Sequence, residues 1–284
     1  MAEYDVAVIG AGAMGAGICE TAAVHGLSVT SIEKNDAQRE AARQRILQSL
    51  DKAVARGKLE ADDRAGIINR IAWERDLDAA RSAGFVIEAV PEDETLKAEL
   101  FARLGGVCDP DVVLASNTSS ISITRLGAAS GRAEKVVGMH FFNPVPIMQA
   151  VEIVAGLNTD AETVQATEAL ALRMGKVPLP VCDSPGFVAN RVLAPMINEA
   201  IFALAEGVAD AETIDNVMKL GCRHPMGPLE LADLIGLDVV LAILETLHAQ
   251  MGDPKFRPAP LLRRHVAAGR LGRKTGRGFH SHSK

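Results

Sequence analysis

The stretch that most restricts what this chain can fold into lies at its start. Asp5-Val6-Ala7-Val8-Ile9 reads as a short buried strand, Gly10-Ala11-Gly12-Ala13-Met14-Gly15 follows at once, and Ile18 to Val24 continues as a helix stopped by Gly26. A second apolar run, Leu27 to Ile32, ends on Glu33. Between a strand and a helix, with an acidic residue closing the next strand, a G-x-G-x-x-G run is the dinucleotide-binding fingerprint. Gly10 permits the tight turn, Gly12 lets the backbone approach a pyrophosphate, and Gly15 lets helix and strand pack closely. The helix start then offers unpaired N–H groups and the positive end of its dipole to the phosphates. Glu33 would accept hydrogen bonds from the adenosine ribose and repel a 2′-phosphate, which favours NAD; Lys34 and Asn35 beside it leave NADP open.

The alternation continues. Asp36 to Lys58 reads as one long helix, apolar at Ala41, Ala42, Ile46, Leu50 and Val54, with Ser49, Lys52, Arg56 and Lys58 forming a basic, hydroxyl-bearing end. A solvated face is the ordinary explanation of such a pattern. Further strands are expected from Ile71, over 84–90 and 112–116, at Val136-Val137, over 150–154 and over 177–181, with helices between most of them. This is the pattern of a doubly wound, Rossmann-type, mostly parallel α/β sheet. Past Asp183-Ser184-Pro185-Gly186 everything reads as helix: 187–206 with a kink at Pro195, 210–220, 229–250 broken near Gly236, and 260–268. The boundary is placed near residue 184, giving a dinucleotide-binding domain over 1–184 and an all-α substrate and dimerisation domain over 185–284. The first of these helices carries an apolar stripe too broad for one partner, which predicts a homodimer.

Composition excludes other classes. A net charge of −6 leaves no basic footprint for nucleic acid. No apolar run reaches membrane-span length, and the first strand begins too close to Met1 for a signal peptide, so a cytoplasmic protein without a membrane partner is expected. The four cysteines, Cys19, Cys108, Cys182 and Cys222, lack paired metal-ligand spacing and read as small buried residues; no metal is expected. Basic residues cluster late, at Arg263-Arg264, Arg270, Arg273-Lys274 and Arg277, a local patch suited to an anionic ligand.

The chemistry is concentrated between Gly138 and Glu152. His140 is expected where a strand gives out into the loop carrying Asn143-Pro144 and Pro146, and Glu152 lies in the apolar run that follows. A histidine at a strand end and a carboxylate in the next strand can meet, giving a general base its orienting partner. Taken alone, the pair is more simply a satisfied core histidine and a solvent-facing glutamate. Two other features turn the reading toward a site. Asn117-Thr118-Ser119-Ser120 closes the strand ending at Ser116 with more short hydrogen-bonding residues than one helix cap needs. Glu92 and Lys97 follow another strand, at the end of the sheet where cofactors sit.

Taken together, Gly10-Ala-Gly-Ala-Met-Gly15, Ser116-Asn-Thr-Ser-Ser120, His140-Phe-Phe-Asn-Pro-Val-Pro146 with Glu152, Asp183-Ser-Pro-Gly-Phe-Val-Ala-Asn-Arg191, Pro225-Met-Gly-Pro228 and Gly272-Arg-Lys-Thr-Gly-Arg-Gly-Phe279 closely resemble the L-3-hydroxyacyl-CoA dehydrogenase family, its bacterial 3-hydroxybutyryl-CoA members most of all. The resemblance spans essentially the whole chain. It implies reversible oxidation of a 3-hydroxyacyl-CoA, with hydride passing to NAD. His140 would be the base, Glu152 its orienting partner, and Ser119 and Asn190 hydrogen-bond donors to the substrate. Gly10 to Gly15, Glu33, Glu92, Lys97, Asn117, Ser119, Asn143 and Lys274 would hold the cofactor. Ser49, Lys52 and Arg56 would meet coenzyme A, although lysine is more usual than arginine at position 56. His280 stands where the family commonly has tyrosine, and Cys222-Arg223-His224 departs from its asparagine-rich version; His224 is read as a structural or interfacial loop histidine. Acyl-chain length stays open between 3-hydroxybutyryl-CoA and 3-hydroxyadipyl-CoA. A non-catalytic, crystallin-like relative should have lost the base or its partner. A β-hydroxyacid dehydrogenase should carry a catalytic lysine where Asn190-Arg191 stands.

Overall fold

The computed structural model describes residues 2–282. They divide into two compact units, one ending at Ser184 and the other starting at Pro185.

The first unit is built on an eight-stranded sheet in the order β3-β2-β1-β4-β5-β6-β7-β8. Its strands are β1 (Val6–Ile9), β2 (Val29–Ile32), β3 (Ile71–Glu74), β4 (Phe85–Glu88), β5 (Val113–Ser116), β6 (Val136–Phe141), β7 (Ala150–Ala155) and β8 (Val177–Cys182). The helices between them are α1 (Ala13–Val24), α2 (Asp36–Ala55), α3 (Asp63–Asn69), α4 (Glu94–Val107), α5 (Ile123–Ser130) and α6 (Ala161–Arg173). All pairings are parallel except β6 with β7. Inner strands of a parallel sheet are covered on both faces and so read as unbroken apolar runs. β1, β2, β4 and β5 are buried at every position. Chain order reverses between β1 and β4, and in such sheets a ligand crevice opens at the carboxyl ends of those strands.

β6 is longer than the Val136-Val137 run predicts. Antiparallel pairing carries it to Phe141, opposite Val151, and Asn117 Oδ1 accepts the Phe141 N–H at 2.9 Å. His140 therefore sits inside a strand and not in the loop after it. β8 forms one edge of the sheet, and Pro178 and Pro180 lack the N–H groups with which that edge could recruit another strand.

In the second unit, α7 (Ala189–Ala205) starts later than Phe187, because Gly186 and Phe187 both take left-handed φ angles, 71° and 49°. Pro195 lies within it. The helix expected over 210–220 is α8 (Ala211–Asn216), followed by a π-turn at Val217–Gly221. The broken helix is two: α9 (Pro228–Ile235) and α10 (Leu237–Met251), separated by Gly236 at φ 105°. α11 (Pro260–Ala267) completes the set. Ile197, Ile201, Leu229, Leu237, Leu244, Phe256 and Leu262 form the core of this unit.

Two buried aspartates order its polar ends. Gly227, at the N-cap of α9, has no side chain to offer, and Asp215 of α8 replaces it by accepting the Leu229 N–H (2.8 Å) and the Glu230 N–H (2.9 Å). Asp233 accepts the backbone N–H groups of Phe279 and His280, both at 2.9 Å. The imidazoles of His280 and His282 meet Asp215 and Asp233. His280, where a tyrosine is the family habit, thus has a carboxylate partner. The cysteine expectation holds for Cys19 and Cys108 only. Cys182 ends an edge strand and Cys222 follows the π-turn, and both are exposed.

Asp215→Ala removes the acceptor of two helix-start N–H groups inside a packed core. It should destabilise the protein by about 1–3 kcal/mol, read as a lower urea midpoint with unchanged slope.

Candidate active site

At the end of β1 the chain turns through Gly10, whose φ of 97° few other residues adopt, and a Cβ there would stand 2.7 Å from the Ala89 carbonyl oxygen. A Cβ on Gly15 would overlap the Gly10 carbonyl. Gly12 differs: a Cβ there would meet nothing within 4 Å. Its missing side chain leaves open space over the start of α1, where no side chain caps the helix. Glu33 reaches the same turn from the end of β2. It accepts the Ala11 N–H at 3.2 Å and the Asn35 N–H at 3.0 Å. Open space over a helix N-terminus, with a carboxylate at the end of the adjacent strand, fits the pyrophosphate and ribose of a dinucleotide.

Across the crevice, a polar network fills the carboxyl ends of β4 and β5. Glu88 is fully buried, and its Oε1 lies 2.6 Å from Lys97 Nζ and 2.7 Å from the Val90 N–H; its Oε2 accepts from Ser116 Oγ at 2.6 Å. Lys97 also donates to the Val90 carbonyl (3.3 Å) and lies 3.4 Å from Glu92 Oε2. The other Glu92 oxygen gathers the loop after β5. It accepts from Thr118 Oγ1 (2.6 Å), the Ser119 N–H and Oγ (3.0 and 3.3 Å) and the Ser120 N–H and Oγ (3.2 and 3.1 Å). Burial pushes the Glu92 carboxyl up, but Lys97 and these donors outweigh it and hold its pKa below the usual carboxylate range. Helix α5 is capped separately by Ser122. The surplus hydrogen-bonding residues are therefore the shell of Glu92, and they fix the backbone that carries Ser119.

The β6–β7 register sets His140 directly opposite Glu152, and Nδ1 lies 2.7 Å from Glu152 Oε2. Both residues are buried, at 8% and 3% exposure, so the pair works in a low-dielectric setting. The Phe142 ring tilts against the imidazole at 4.9 Å between centroids.

Of the remaining expected residues in this unit, Asn117 is held by Phe141 as above, and Asn143 is exposed in the loop between β6 and β7. On α2, Ser49 is half-buried and donates to Glu20 Oε1 at 2.6 Å, while Lys52 and Arg56 are exposed. In the second unit, Asn190 lies in the first turn of α7, and its N–H donates to the Gly186 carbonyl at 3.1 Å. Lys274 Nζ spans both carboxylate oxygens of Asp238 at 2.6 Å each. His224 is half-buried in the loop before α9. Among the described residues no group of three or more metal-ligating side chains occurs.

Sequence reasoning passed over Glu88 and Glu20. The signal for Glu88 was the one that marked Glu152: a single carboxylate in an apolar strand, here closing Phe85-Val86-Ile87. Glu20 stands in the same way within an apolar helix.

Fold and site define an oxidoreductase that binds a nicotinamide dinucleotide and carries a histidine–carboxylate pair. Residues 5–184 match the family description "3-hydroxyacyl-CoA dehydrogenase, NAD binding domain", and residues 186–282 match "3-hydroxyacyl-CoA dehydrogenase, C-terminal domain". The chain belongs to the 3-hydroxyacyl-CoA dehydrogenase family. A probable 3-hydroxybutyryl-CoA dehydrogenase of Bacillus subtilis is 50% identical over 280 residues, covering 99% of this chain and 98% of that one. The 3-hydroxyadipyl-CoA dehydrogenase of Escherichia coli is 44% identical across 97% of this chain and 58% of its own length. The crystal structure of (S)-3-hydroxybutyryl-CoA dehydrogenase from Ralstonia eutropha superposes with a TM-score of 0.96 at 48% identity, covering 99% of both chains.

Lys97→Met would leave Glu88 buried without its cation. A loss of about 3–5 kcal/mol is expected by urea denaturation, and Lys97→Met combined with Glu88→Gln should recover part of it.

Proposed function

We propose that the protein interconverts a short-chain L-3-hydroxyacyl-CoA, 3-hydroxybutyryl-CoA, and its 3-keto form. The observation that carries this reading is the 2.7 Å contact of His140 Nδ1 with Glu152. It keeps the Nδ1 proton in place and so leaves the basic lone pair on Nε2. His140 takes the proton of the substrate hydroxyl at Nε2, and Glu152 stabilises the imidazolium that results. The glycine turn from Gly10 to Gly15 and Glu33 would hold NAD, which would supply the acceptor for the hydride leaving the same carbon. Ser119, whose N–H Glu92 holds, turns its hydroxyl from Glu92 to donate to the substrate oxygen, and in the reverse direction His140 returns the proton. Glu92, Lys97, Asn117 and Asn143 are assigned to cofactor binding in the first unit. Asn190 and Lys274 are assigned to substrate and cofactor in the second. Ser49, Lys52 and Arg56 form the coenzyme A surface.

The short acyl chain is supported by the Bacillus and Ralstonia relatives, both named as 3-hydroxybutyryl-CoA dehydrogenases. The Escherichia coli relative supports 3-hydroxyadipyl-CoA as a second reading. A non-catalytic role is disfavoured because His140, Glu152, Ser119 and Asn190 are all retained. Glu33 beside the glycine turn favours NAD over NADP. The apolar residues Val188, Val192, Val208, Val217 and Leu220, exposed on the second unit, support a homodimer. No described helix is long and apolar enough to cross a membrane, and the net charge is −6; cytoplasmic location without nucleic-acid or membrane partners is the reading these favour.

The test is NADH and NADPH oxidation with acetoacetyl-CoA. NADH should be turned over faster, and His140→Ala should lower kcat by about 10²–10⁴-fold without preventing NADH binding. Glu152→Gln should also lower kcat. Faster turnover of an adipyl than a butyryl substrate would select the second reading; equal turnover by His140→Ala would remove the base assignment.

A further inference from the structure

The first unit holds a buried carboxylate that the chemistry above does not use. Glu20 lies on α1, only 5% exposed, and Ser49 Oγ donates to its Oε1 at 2.6 Å. Ser49 belongs to α2, and Lys52 and Arg56 follow it at helical spacings that share a face. The carboxylate therefore stands behind the hydroxyl that this face presents. The charged group that acts on Glu20 is Lys176, and its ammonium is already committed, donating to the carbonyls of Val145 (2.5 Å) and Met148 (2.8 Å). α2 supplies the Ser49 hydroxyl, and neither α3, β1 nor β2, which also pack on α1, adds a charge that acts on it. A carboxylate with one hydroxyl donor, and a cation whose hydrogen bonds go to two carbonyls, is poorly compensated for burial. Burial pushes its pKa up to about 7, against the lowering effects of Ser49 and Lys176.

We propose that Glu20 is a positioning residue that decides whether Ser49 can donate a hydrogen bond to coenzyme A, and so couples acyl-CoA binding to proton uptake. This rests on the reading of Ser49, Lys52 and Arg56 as the coenzyme A surface. When Glu20 is ionised it takes the Ser49 proton, and Ser49 Oγ can only accept. It then presents lone pairs, with an anion behind them, to a ligand whose phosphates and carbonyls are acceptors. When Glu20 is protonated the bond reverses: Glu20 donates to Oγ, and the Ser49 proton is released toward the ligand. The buried negative charge is lost at the same time. No covalent bond changes; one proton is taken up from solvent on binding.

The sign follows from linkage. Ligand binding favours protonated Glu20 and raises its pKa further. Affinity is therefore greatest below the value of the free protein, about 7, and falls as pH rises through it. Folding carries the same sign. The carboxyl is raised above its unfolded value, so its contribution to stability is present at low pH and declines toward neutrality. Glu20→Gln, whose amide can donate to Ser49 at every pH, mimics the protonated form and should fold at least as stably as wild type above neutral pH.

The experiment is the KM for acetoacetyl-CoA at saturating NADH, followed from about pH 6 to about pH 9, for wild type, Glu20→Gln and Ser49→Ala, with thermal melts of each. The ratio of wild-type to Glu20→Gln KM cancels titrations common to both, those of the ligand phosphate and His140 included. That ratio should rise about ten-fold across the range, with the effect confined to the acyl-CoA KM and absent from the NADH KM. A ratio that stays flat with pH, while Ser49→Ala raises the acyl-CoA KM, overturns the role of Glu20 and leaves the coenzyme A surface standing. Ser49→Ala with an unchanged acyl-CoA KM at every pH overturns the surface, and the proposal with it. A Glu20→Gln protein that melts well below wild type above neutral pH also overturns it, because the burial penalty would then not be what the substitution relieves.

Discussion

The Lys97 ammonium is the group on which the crevice end of the sheet depends. At 1% exposure it has lost nearly all contact with water, and a buried cation persists only where anions and lone pairs replace that water. Glu88 supplies the closest contact, the Val90 carbonyl the next, and Glu92 the third. These requirements propagate. Glu88 has a second oxygen to satisfy and takes Ser116; Glu92 has another and takes the loop through Ser120. A loop that would otherwise be loosely held is thereby tied to α4 and to the ends of two strands. Ser119 inherits its position from a charge it does not touch.

The second constraint is the one antiparallel pairing within the eight-stranded sheet, β6 with β7. A parallel neighbour for β6 would need a helical crossover, and the register of such a pair is set far from the residues that matter. The hairpin places His140 and Glu152 opposite each other with only the loop 142–149 between the strands. Because side chains alternate, a slip of one residue would send the two to opposite faces. The apolar neighbours Met139, Phe141, Val151 and Ile153, all buried, make that slip costly. Core packing thus fixes the register that sets the base against its partner.

The local features were legible in the sequence. The glycine turn, the strand ends and the switch to helix after Asp183 each depend on residues close together in the chain, and periodicity reports those directly. The pair His140 and Glu152 was legible only in company: alone it reads as a core histidine and a solvent-facing glutamate, and the short hydrogen-bonding residues after β5, with Glu92 and Lys97, turn it into a site. Glu88 carried the same mark but went unread, because Lys97 was read as facing a cofactor, and its burial against Glu88 is a tertiary outcome. Nothing local distinguishes a lysine that points inward. The late start of α7 was hidden for another reason: Phe187 is apolar and extends the helical stripe, while its positive φ is imposed by the turn at Gly186. The exposure of Cys182 and Cys222 depends on which strand lies at the edge and where a helix loosens into a π-turn, and both are tertiary outcomes.

Glu88 and Glu20 show how the same residue type is given different work by its partners. Both are buried carboxylates in the first unit. Glu88 has an ammonium at 2.6 Å, a backbone N–H and a hydroxyl, so its charge is matched within its own shell and it serves as scaffold. Glu20 has a single hydroxyl in contact, and the nearby cation is spent on two carbonyls. The first arrangement resists a change of charge, because losing it would leave Lys97 poorly paired. The second loses less when it takes a proton, since a hydroxyl can accept as well as donate and Lys176, whose ammonium the Glu20 charge favours, keeps its two carbonyls. Burial alone therefore does not make a proton-responsive site; burial beside a partner that tolerates both protonation states does.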